Sequence, residues 1–213
     1  MKYAPKKHHL LGLLPDAWVQ THGPRSGACR YLTFDDGPHP EHTPQLLDLL
    51  RRHGLRASFF VVGQRVERHP DIARRIVDEG HLLGNHSHCH TQFGQMDLAT
   101  QVSEIAQADR VLQGVDGCPR HRVRTPQGHL SWSLLRHFAR ERRSVAYWCY
   151  DSLDYRASDA ATLVERLGHQ PPRAGDIVLM HDDSQHAVDA LEQLLPQWLA
   201  AGWTFDALAQ DRA

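Results

Sequence analysis

Short runs of β-branched and aromatic residues alternate along this chain with longer amphipathic stretches, and this alternation limits the fold more than any other feature. The short runs predict seven strands, at 30–35, 57–62, 81–85, 121–124, 145–150, 176–181 and 203–205. The longer stretches predict six helices, at 43–52, 70–79, 98–113, 131–142, 158–167 and 186–200. Regular alternation of this kind is typical of an α/β fold with a mainly parallel sheet, either open or closed into a barrel.

Length, charge and cysteine spacing restrict the class of protein. A chain of 213 residues can form one substantial hydrophobic core, and α/β barrels of this size are commonly undivided. The net charge of −1 argues against a basic surface for nucleic acid. The apolar run at 10–14 is too short for a signal peptide or a membrane span, so we expect no span and a cytoplasmic location. Four cysteines without a CxxC spacing predict free thiols.

Polar residues with acid–base or metal-binding chemistry follow five of the predicted strands, at the point where each strand ends. They are Asp35 with Asp36, the segment His86 to His90, Arg124, Asp151 with Asp154, and His181. Parallel α/β folds bind their ligands at the carboxyl ends of the strands. The sequence therefore predicts that these residues form one site.

Two histidines and an aspartate are candidates for a catalytic metal site. If the segment after the predicted strand 81–85 turns helically, His86 and His90 share a face. Together with Asp36 they form a His₂Asp set with open positions for water and substrate. This set implies a divalent cation of the zinc type, and cobalt, nickel or iron would accept the same ligands. Cys89 is either a rival ligand or a small buried hydrophobe.

Acid–base roles are predicted for the remaining residues of this set. Successive strand side chains point to opposite sides, so Asp35 can accept a proton while its neighbour binds the cation. His181 is a candidate general acid, and a negative charge on Asp154 would raise its pKa. Arg124 is expected to bridge Asp35 and Asp154. The alternative interpretation of these residues is structural: helix-capping acids and a hydrogen-bonded histidine.

Five motifs resemble, in order, those of the polysaccharide deacetylase family, also called the NodB-homology family or carbohydrate esterase family four. The motifs are Thr33-Phe34-Asp35-Asp36-Gly37-Pro38, His86-Ser87-x-x-His90, Arg124-x-Pro126-x-Gly128, Asp151-Ser152-x-Asp154 and Leu179-x-His181. The similarity extends from about Tyr31 to Phe205. We therefore expect residues 30–213 to form the deacetylase domain and residues 1–29 an N-terminal extension.

The resemblance implies a deformed (β/α) barrel of about seven parallel strands. It also implies a metal-dependent amidase that removes the acetyl group of N-acetylglucosamine-type sugars and releases acetate. By position, Asp36, His86 and His90 would be the metal ligands, most naturally of Zn²⁺, with Co²⁺, Ni²⁺ or Fe²⁺ as alternatives.

The same resemblance implies roles for the other motif residues. Asp35 would be the general base and His181 the general acid. Arg124 would orient Asp35, and Asp154 would tune His181. The residues that would contact the substrate are Pro126, Gln127 with its oxyanion-binding amide, and Tyr155 and Leu179 in the acetyl pocket.

Departures from the family pattern bear on the substrate. Gln127 stands where an aromatic residue is common, Tyr155 where tryptophan is usual, and Leu82 with Leu83 replaces a more polar pair. Because these changes reduce stacking against a sugar ring, we expect a soluble oligosaccharide, or a lipid- or nucleotide-linked amino sugar, rather than a long polymer. The rival hypotheses are a deformylase or other non-peptide amide hydrolase on the same scaffold, and a non-catalytic carbohydrate- or metal-binding module.

Overall fold

Eight strands and eight α-helices alternate over the part of the chain that the computed structural model describes, residues 7–24 and 29–210. The strands are β1 (Val19–Gln20), β2 (Cys29–Asp35), β3 (Ser58–Val61), β4 (Leu82–Asn85), β5 (Val145–Ala146), β6 (Tyr150–Asp151), β7 (Ile177–His181) and β8 (Thr204–Phe205). The helices are α1 (Lys7–Leu11), α2 (His42–Arg52), α3 (Gly63–Arg68), α4 (Pro70–Asp78), α5 (Leu98–Asp116), α6 (Trp132–Arg140), α7 (Ala160–His169) and α8 (Gln185–Ala200). Within these ranges no helix has the length and apolar character needed to cross a membrane.

The strands are arranged in parallel. The main sheet has the order β4-β3-β2-β7-β6, β8 pairs with the start of β2, and β1 pairs with β5. Single parallel bridges of Val123 to Asn85 and to Val145 connect β4 with β5. The predicted α/β class with a mainly parallel sheet is confirmed.

The centre of the core is β2, which lies between β3 and β7. Leu32, Thr33 and Phe34 are all fully buried, as expected for a parallel strand that is covered on both faces. Leu47 of α2 and Leu191 of α8 belong to the same core, and each buried leucine contributes about 1.5–3 kcal/mol. This packing holds the carboxyl end of β2 in a fixed position.

Local signals in the sequence define most helix ends. Side-chain oxygens accept hydrogen bonds from the first turns of three helices, which satisfies N–H groups that lack an intrahelical partner. These caps are Asp97 of α5, Ser131 of α6 and Asp159 of α7. The glycines that follow α2, α4 and α8 all have positive φ, at 63°, 79° and 79° for Gly54, Gly80 and Gly202. The predicted bounds of these helices agree with the structure within one residue.

Two predicted strands differ from the structure. The run 145–150 is divided into β5 and β6, because Tyr147 N–H donates to the Gln20 carbonyl whereas Cys149 N–H donates to the Ile177 carbonyl of β7. The run 121–124 is reduced to the bridges of Val123: the Arg122 carbonyl and the Arg124 N–H both bond to Asn85 of β4, and the Val123 carbonyl accepts from Ala146 N–H of β5. The short helix α3, which follows β3 without a loop, was not predicted.

The boundary between an N-terminal extension, 1–29, and a domain, 30–213, stays a prediction. Residues 1–6 and 25–28 of the predicted extension lie outside the described residues. Within the described part, Val19 is fully buried and pairs with Val145 of β5. The segment that contains β1 therefore packs against the sheet.

Candidate active site

Asp35 and Asp36, at the carboxyl end of β2, have different partners. Asp35 is the last residue of the strand and lies in register with His181 of β7. Asp36 leaves the strand with a φ of 76°, a left-handed conformation that aspartate tolerates better than most residues. Gly37, the next residue, leaves space for Asp182. A Cβ atom at that position would lie 2.1 Å from Asp182 Oδ2.

The three side chains predicted as metal ligands lie together. Asp36 Oδ1 is 3.4 Å from His86 Nε2 and 3.1 Å from His90 Nε2. The expected helical turn between the two histidines is absent, because Ser87 and His90 both have positive φ, at 68° and 64°. An irregular loop, in which His90 N–H donates to Ser87 Oγ, brings the two rings to 5.0 Å instead. The three side chains lie together as predicted. The prediction that a helical turn brings the two histidines together was wrong.

Hydrogen bonding around this group fits a divalent cation. His86 Nδ1 lies 2.7 Å from the Arg124 carbonyl, which can only accept, so Nδ1 carries the proton and the lone pair of Nε2 faces Asp36. Asp36 Oδ1 is itself buried without a hydrogen-bond partner in the described structure. Burial opposes ionisation of Asp36, but the two neighbouring histidines hold its pKa well below the usual range. Two imidazole lone pairs and a carboxylate that converge in this way suit a cation with open coordination positions.

Cys89 and His88 lie outside the ligand group. The Cys89 thiol is 3.2 Å from Thr91 Oγ1 and only half-buried, so neither the rival ligand nor the buried hydrophobe describes it. His88 packs over the start of α3, where a Cβ atom on Gly63 would lie 2.6 Å from the His88 ring. Among residues 86–90, the cation site therefore uses the two outer histidines alone.

Arg124 binds the side chain of Asp35. Its side chain is fully buried, with Nη1 donating to Asp35 Oδ1 at 2.8 Å and to Thr33 Oγ1 at 2.7 Å. Its guanidinium also lies over the Phe60 ring, 4.3 Å from the centroid. The expected bridge from Arg124 to Asp154 is not present among the described residues, because both Asp154 oxygens contact His181 instead.

His181 is held in its protonated form. Asp154 accepts hydrogen bonds from the His181 backbone N–H at 2.6 Å and from Nδ1 at 3.0 Å, and Ser152 Oγ donates to the same carboxylate. Burial lowers the pKa of His181, but the hydrogen bond and charge of Asp154, with smaller contributions from Asp35 and Asp36, raise it to about 9. An imidazolium at this position is a proton donor on the side of the cleft formed by β7.

These groups open into one cleft of about 400 Å³ at the carboxyl ends of the strands. Its lining residues are Asp35, Asp36, His86, His90, Gln127, Trp148, Asp151, Tyr155, Leu179 and His181. The structure thus brings together most of the residues that the sequence singled out. Pro126 does not line the cleft, because it is buried at the start of the 3₁₀ turn Pro126–Gly128 that presents Gln127. Arg124 and Asp154 do not line the cleft either; they contact the lining residues Asp35 and His181.

Sequence reasoning missed one wall of this cleft and part of its support. Trp148 stacks on Tyr147 with ring centroids 4.3 Å apart, which restores an aromatic surface that the glutamine at position 127 had seemed to remove. No spacing signal marks Trp148, because it lies inside a run that looks like continuous strand. Asp182 is fully buried, and burial raises its pKa to about 7 although Thr43 Oγ1 donates to it at 2.5 Å.

The known proteins that this chain is similar to include deacetylases of N-acetylated sugars. The sequence profile described as polysaccharide deacetylase matches residues 22–141. A peptidoglycan-N-acetylglucosamine deacetylase of Bacillus cereus is 31% identical over 204 residues, covering 91% of this chain and 74% of that protein. A chitooligosaccharide deacetylase of Bradyrhizobium sp. is 32% identical over 196 residues, covering 84% of this chain and 89% of that protein.

Solved structures give the same result. A peptidoglycan N-acetylglucosamine deacetylase in complex with an N-oxidanyl-benzamide superimposes with a TM-score of 0.84 at 29% identity, covering 90% of this chain and 91% of that one. A family 4 carbohydrate esterase from Streptomyces lividans, in complex with acetate, gives a TM-score of 0.76 at 28% identity and covers 86% of this chain and 96% of that one. The predicted fold class, of NodB-homology type, is confirmed.

Proposed function

This chain belongs to the polysaccharide deacetylase family, and we propose that it hydrolyses the N-acetyl group of N-acetylglucosamine-type sugars, in oligosaccharides or polysaccharides, releasing acetate and a free amine. The observation that carries the proposal is the composition of the cleft. A cation site, the Asp35 carboxylate and the His181 imidazolium line one cavity. These are the three components that metal-assisted hydrolysis of an amide uses.

Asp36, His86 and His90 would hold the divalent cation, with zinc the metal we propose for a site of two imidazoles and one carboxylate. When bound, the cation polarises the acetamide carbonyl and acidifies water. The backbone carbonyl of Arg124 fixes the tautomer of His86, so that Nε2 remains the ligand atom.

Asp35 would act as the general base. The hydrogen bond from Arg124 to its Oδ1 fixes one oxygen, while Oδ2 lies 3.8 Å from His86 Nε2 at the edge of the cation site. The carboxylate is therefore positioned to take the proton of an attacking water as the carbon–oxygen bond forms. Because Arg124 is fully buried, its positive charge keeps Asp35 in one orientation.

His181 would act as the general acid. An amide nitrogen leaves readily only when it is protonated, and the Asp154 contacts keep a proton on the His181 ring. Asp154 is thus a positioning residue that also maintains the charge. We assign stabilisation of the substrate oxyanion to the backbone N–H of Gln127, a residue of the 3₁₀ turn Pro126–Gly128 that lines the cleft.

Trp148, Tyr155 and Leu179 would bind the sugar and its acetyl group. Trp148 and Tyr155 supply flat apolar surfaces of the kind that sugar rings stack against, and the Tyr155 hydroxyl donates to Asp151 at 3.2 Å. Tyr155 is 54% exposed, so this wall is open to solvent and accessible to a saccharide longer than one unit. We therefore favour an oligosaccharide or polysaccharide substrate over a free monosaccharide.

The test is product analysis on defined substrates. Protein loaded with zinc is incubated with N-acetylglucosamine oligomers and, separately, with their N-formyl analogues. Stoichiometric acetate and free amine from the acetylated oligomers are expected. Formate from the formylated series, with no acetate from any acetylated oligomer, would instead identify a deformylase.

Two matched variants assign the roles of the adjacent carboxylates. Asp35→Asn keeps an oxygen that can accept from Arg124 but cannot take a proton, so turnover should be lost while metal content remains near one ion in this site. Asp36→Asn should lose both activity and bound metal. Equal metal content in the two variants would contradict the proposed division of roles, and full activity in Asp35→Asn would exclude Asp35 as the base.

A further inference from the structure

A second group of metal-binding side chains lies at the opposite end of the sheet from the cleft. The group consists of His22, Cys149 and Asp176, whose ligand atoms all lie within 4.8 Å of one another. Cys149 immediately precedes β6 and Asp176 immediately precedes β7, so both mark amino ends of strands. His22 forms an antiparallel bridge with Asp176. Three separate segments of the chain therefore meet at this point.

Main-chain contacts hold the group in place. Gly23 N–H donates to the Gly175 carbonyl at 2.8 Å, on one side of the bridge that His22 makes with Asp176. Thr21 Oγ1 lies 2.9 Å from His22 Nδ1 and fixes the orientation of the ring, as a hydroxyl or carboxylate partner does for histidines that bind metals. Hydrogen bonds of the backbone and of Thr21 thus hold His22 next to Asp176.

The distance between the Cys149 and Asp176 donor atoms matches that in a tetrahedral metal site. Cys149 Sγ lies 3.4 Å from Asp176 Oδ1. In a tetrahedral zinc site with bonds of roughly 2.0–2.3 Å, neighbouring donor atoms are about 3.5 Å apart. A small inward movement of the His22 ring would complete three sides of such a tetrahedron, leaving the fourth position for water.

Charge also favours a cation at this point. Without a cation the Cys149 thiol donates to the Asp176 carboxylate, which carries the negative charge of the pair. When a divalent cation binds, the thiol releases its proton to solvent, and the thiolate and carboxylate together balance the charge of the ion.

We propose that His22, Cys149 and Asp176 form a second cation site, which takes a thiophilic divalent metal of the zinc class. Imidazole and thiolate ligands together select such metals over magnesium or calcium. The bound ion would join the segment before β2 to the starts of β6 and β7. This site is independent of the proposed catalytic function, because it shares no residue with the cleft.

Cobalt titration distinguishes the two sites, because only the second one contains a thiolate. Reduced, metal-free protein titrated with Co²⁺ should bind two ions per chain and develop a thiolate-to-cobalt charge-transfer band in the near ultraviolet. Cys149→Ser should lose the band and bind one ion, whereas Cys29→Ser, which removes a half-buried thiol at the same end of the sheet, should keep both. The His86→Ala, His90→Ala double variant should lose the other ion and keep the band.

Several outcomes would overturn the proposal. A single bound ion and no charge-transfer band in the unmodified protein would exclude the site. A band that survives in Cys149→Ser, or one that disappears in Cys29→Ser, would show that the ligand set is wrong. If Cys149→Ser does not fold, labelling of the unmodified protein with iodoacetamide decides: Zn²⁺ should slow modification of Cys149 and leave that of Cys29 unchanged, and equal rates with and without Zn²⁺ refute the site.

Discussion

Replacing Asp154 by Asn should move the alkaline limb of the kcat/KM profile towards lower pH. The reaction as proposed needs protonated His181, so activity is lost as pH rises through the His181 pKa. That pKa is raised from an ordinary 6.5 to about 9 in the structure, against the effect of burial, and the Asp154 hydrogen bond and charge contribute most to the rise. Asn keeps the size of the side chain and one acceptor oxygen but removes the charge.

The magnitude follows from the order of these contributions. Asp35 and Asp36 remain in the variant, so we expect the limb to fall by about one to two pH units rather than by the whole difference. At a pH above the alkaline limbs of both proteins, this shift corresponds to about a 10- to 100-fold loss of kcat/KM in the variant, at about 1.4 kcal/mol per tenfold. Below about pH 6 both proteins carry protonated His181, and their rates should converge. A bound cation offsets part of the Asp35 and Asp36 charge and lowers the limb in both proteins, leaving the difference between them.

The assay is acetate release from an N-acetylglucosamine oligomer between about pH 5 and about pH 10, with metal content measured at each pH. Asp159→Asn is the matched control, because Asp159 caps α7 outside the cleft and asparagine caps helices equally well. An alkaline limb that stays in place in Asp154→Asn, with metal content unchanged, would refute the assignment of His181 as the acid.

Three further changes test the site and its support. The His86→Ala, His90→Ala double variant should lose the metal ion of the cleft by elemental analysis, and full retention of that ion would contradict the ligand assignment. Trp148→Ala should raise KM for oligosaccharides more than it lowers kcat, since Trp148 lines the cleft apart from the acid and base; an unchanged KM would exclude it from substrate binding. Gly37→Ala should reduce the free energy of unfolding by about 1–3 kcal/mol in urea titrations, because the new Cβ atom would overlap Asp182, and unchanged stability would show that the loop moves aside freely.

Sequence reasoning succeeded where strand ends determine the position of a residue. Asp35 and His181 end neighbouring parallel strands, so their proximity follows from the alternation of strands and helices alone. It failed where loop geometry decides the result. His86 and His90 meet through two residues with positive φ rather than through a helix, and no pattern of side chains encodes those angles in advance.

Long-range contacts were predicted only in part. The contacts of Arg124 with Asp35 and of Asp154 with His181 were expected and are present. The expected bridge from Arg124 to Asp154 is absent among the described residues, because the Asp154–Arg156 turn places the Asp154 carboxylate against the backbone of β7. The group of His22, Cys149 and Asp176 was not predicted. His22 lies more than a hundred residues before Cys149 and Asp176 along the chain, and only the folded sheet brings the three together.

The buried guanidinium of Arg124 has a consequence for how such a sequence can change over generations. Its Nη1 donates to Asp35 and Thr33, its Nη2 is buried without a partner in the described structure, and no water reaches the side chain. Loss of the Asp35 carboxylate would leave this cation uncompensated, at a cost of about 3–5 kcal/mol. A descendant that abandoned catalysis by mutating Asp35 would therefore be under pressure to replace Arg124 as well. Inactive homologues should accordingly carry changes at both positions, so that the two residues appear or disappear together.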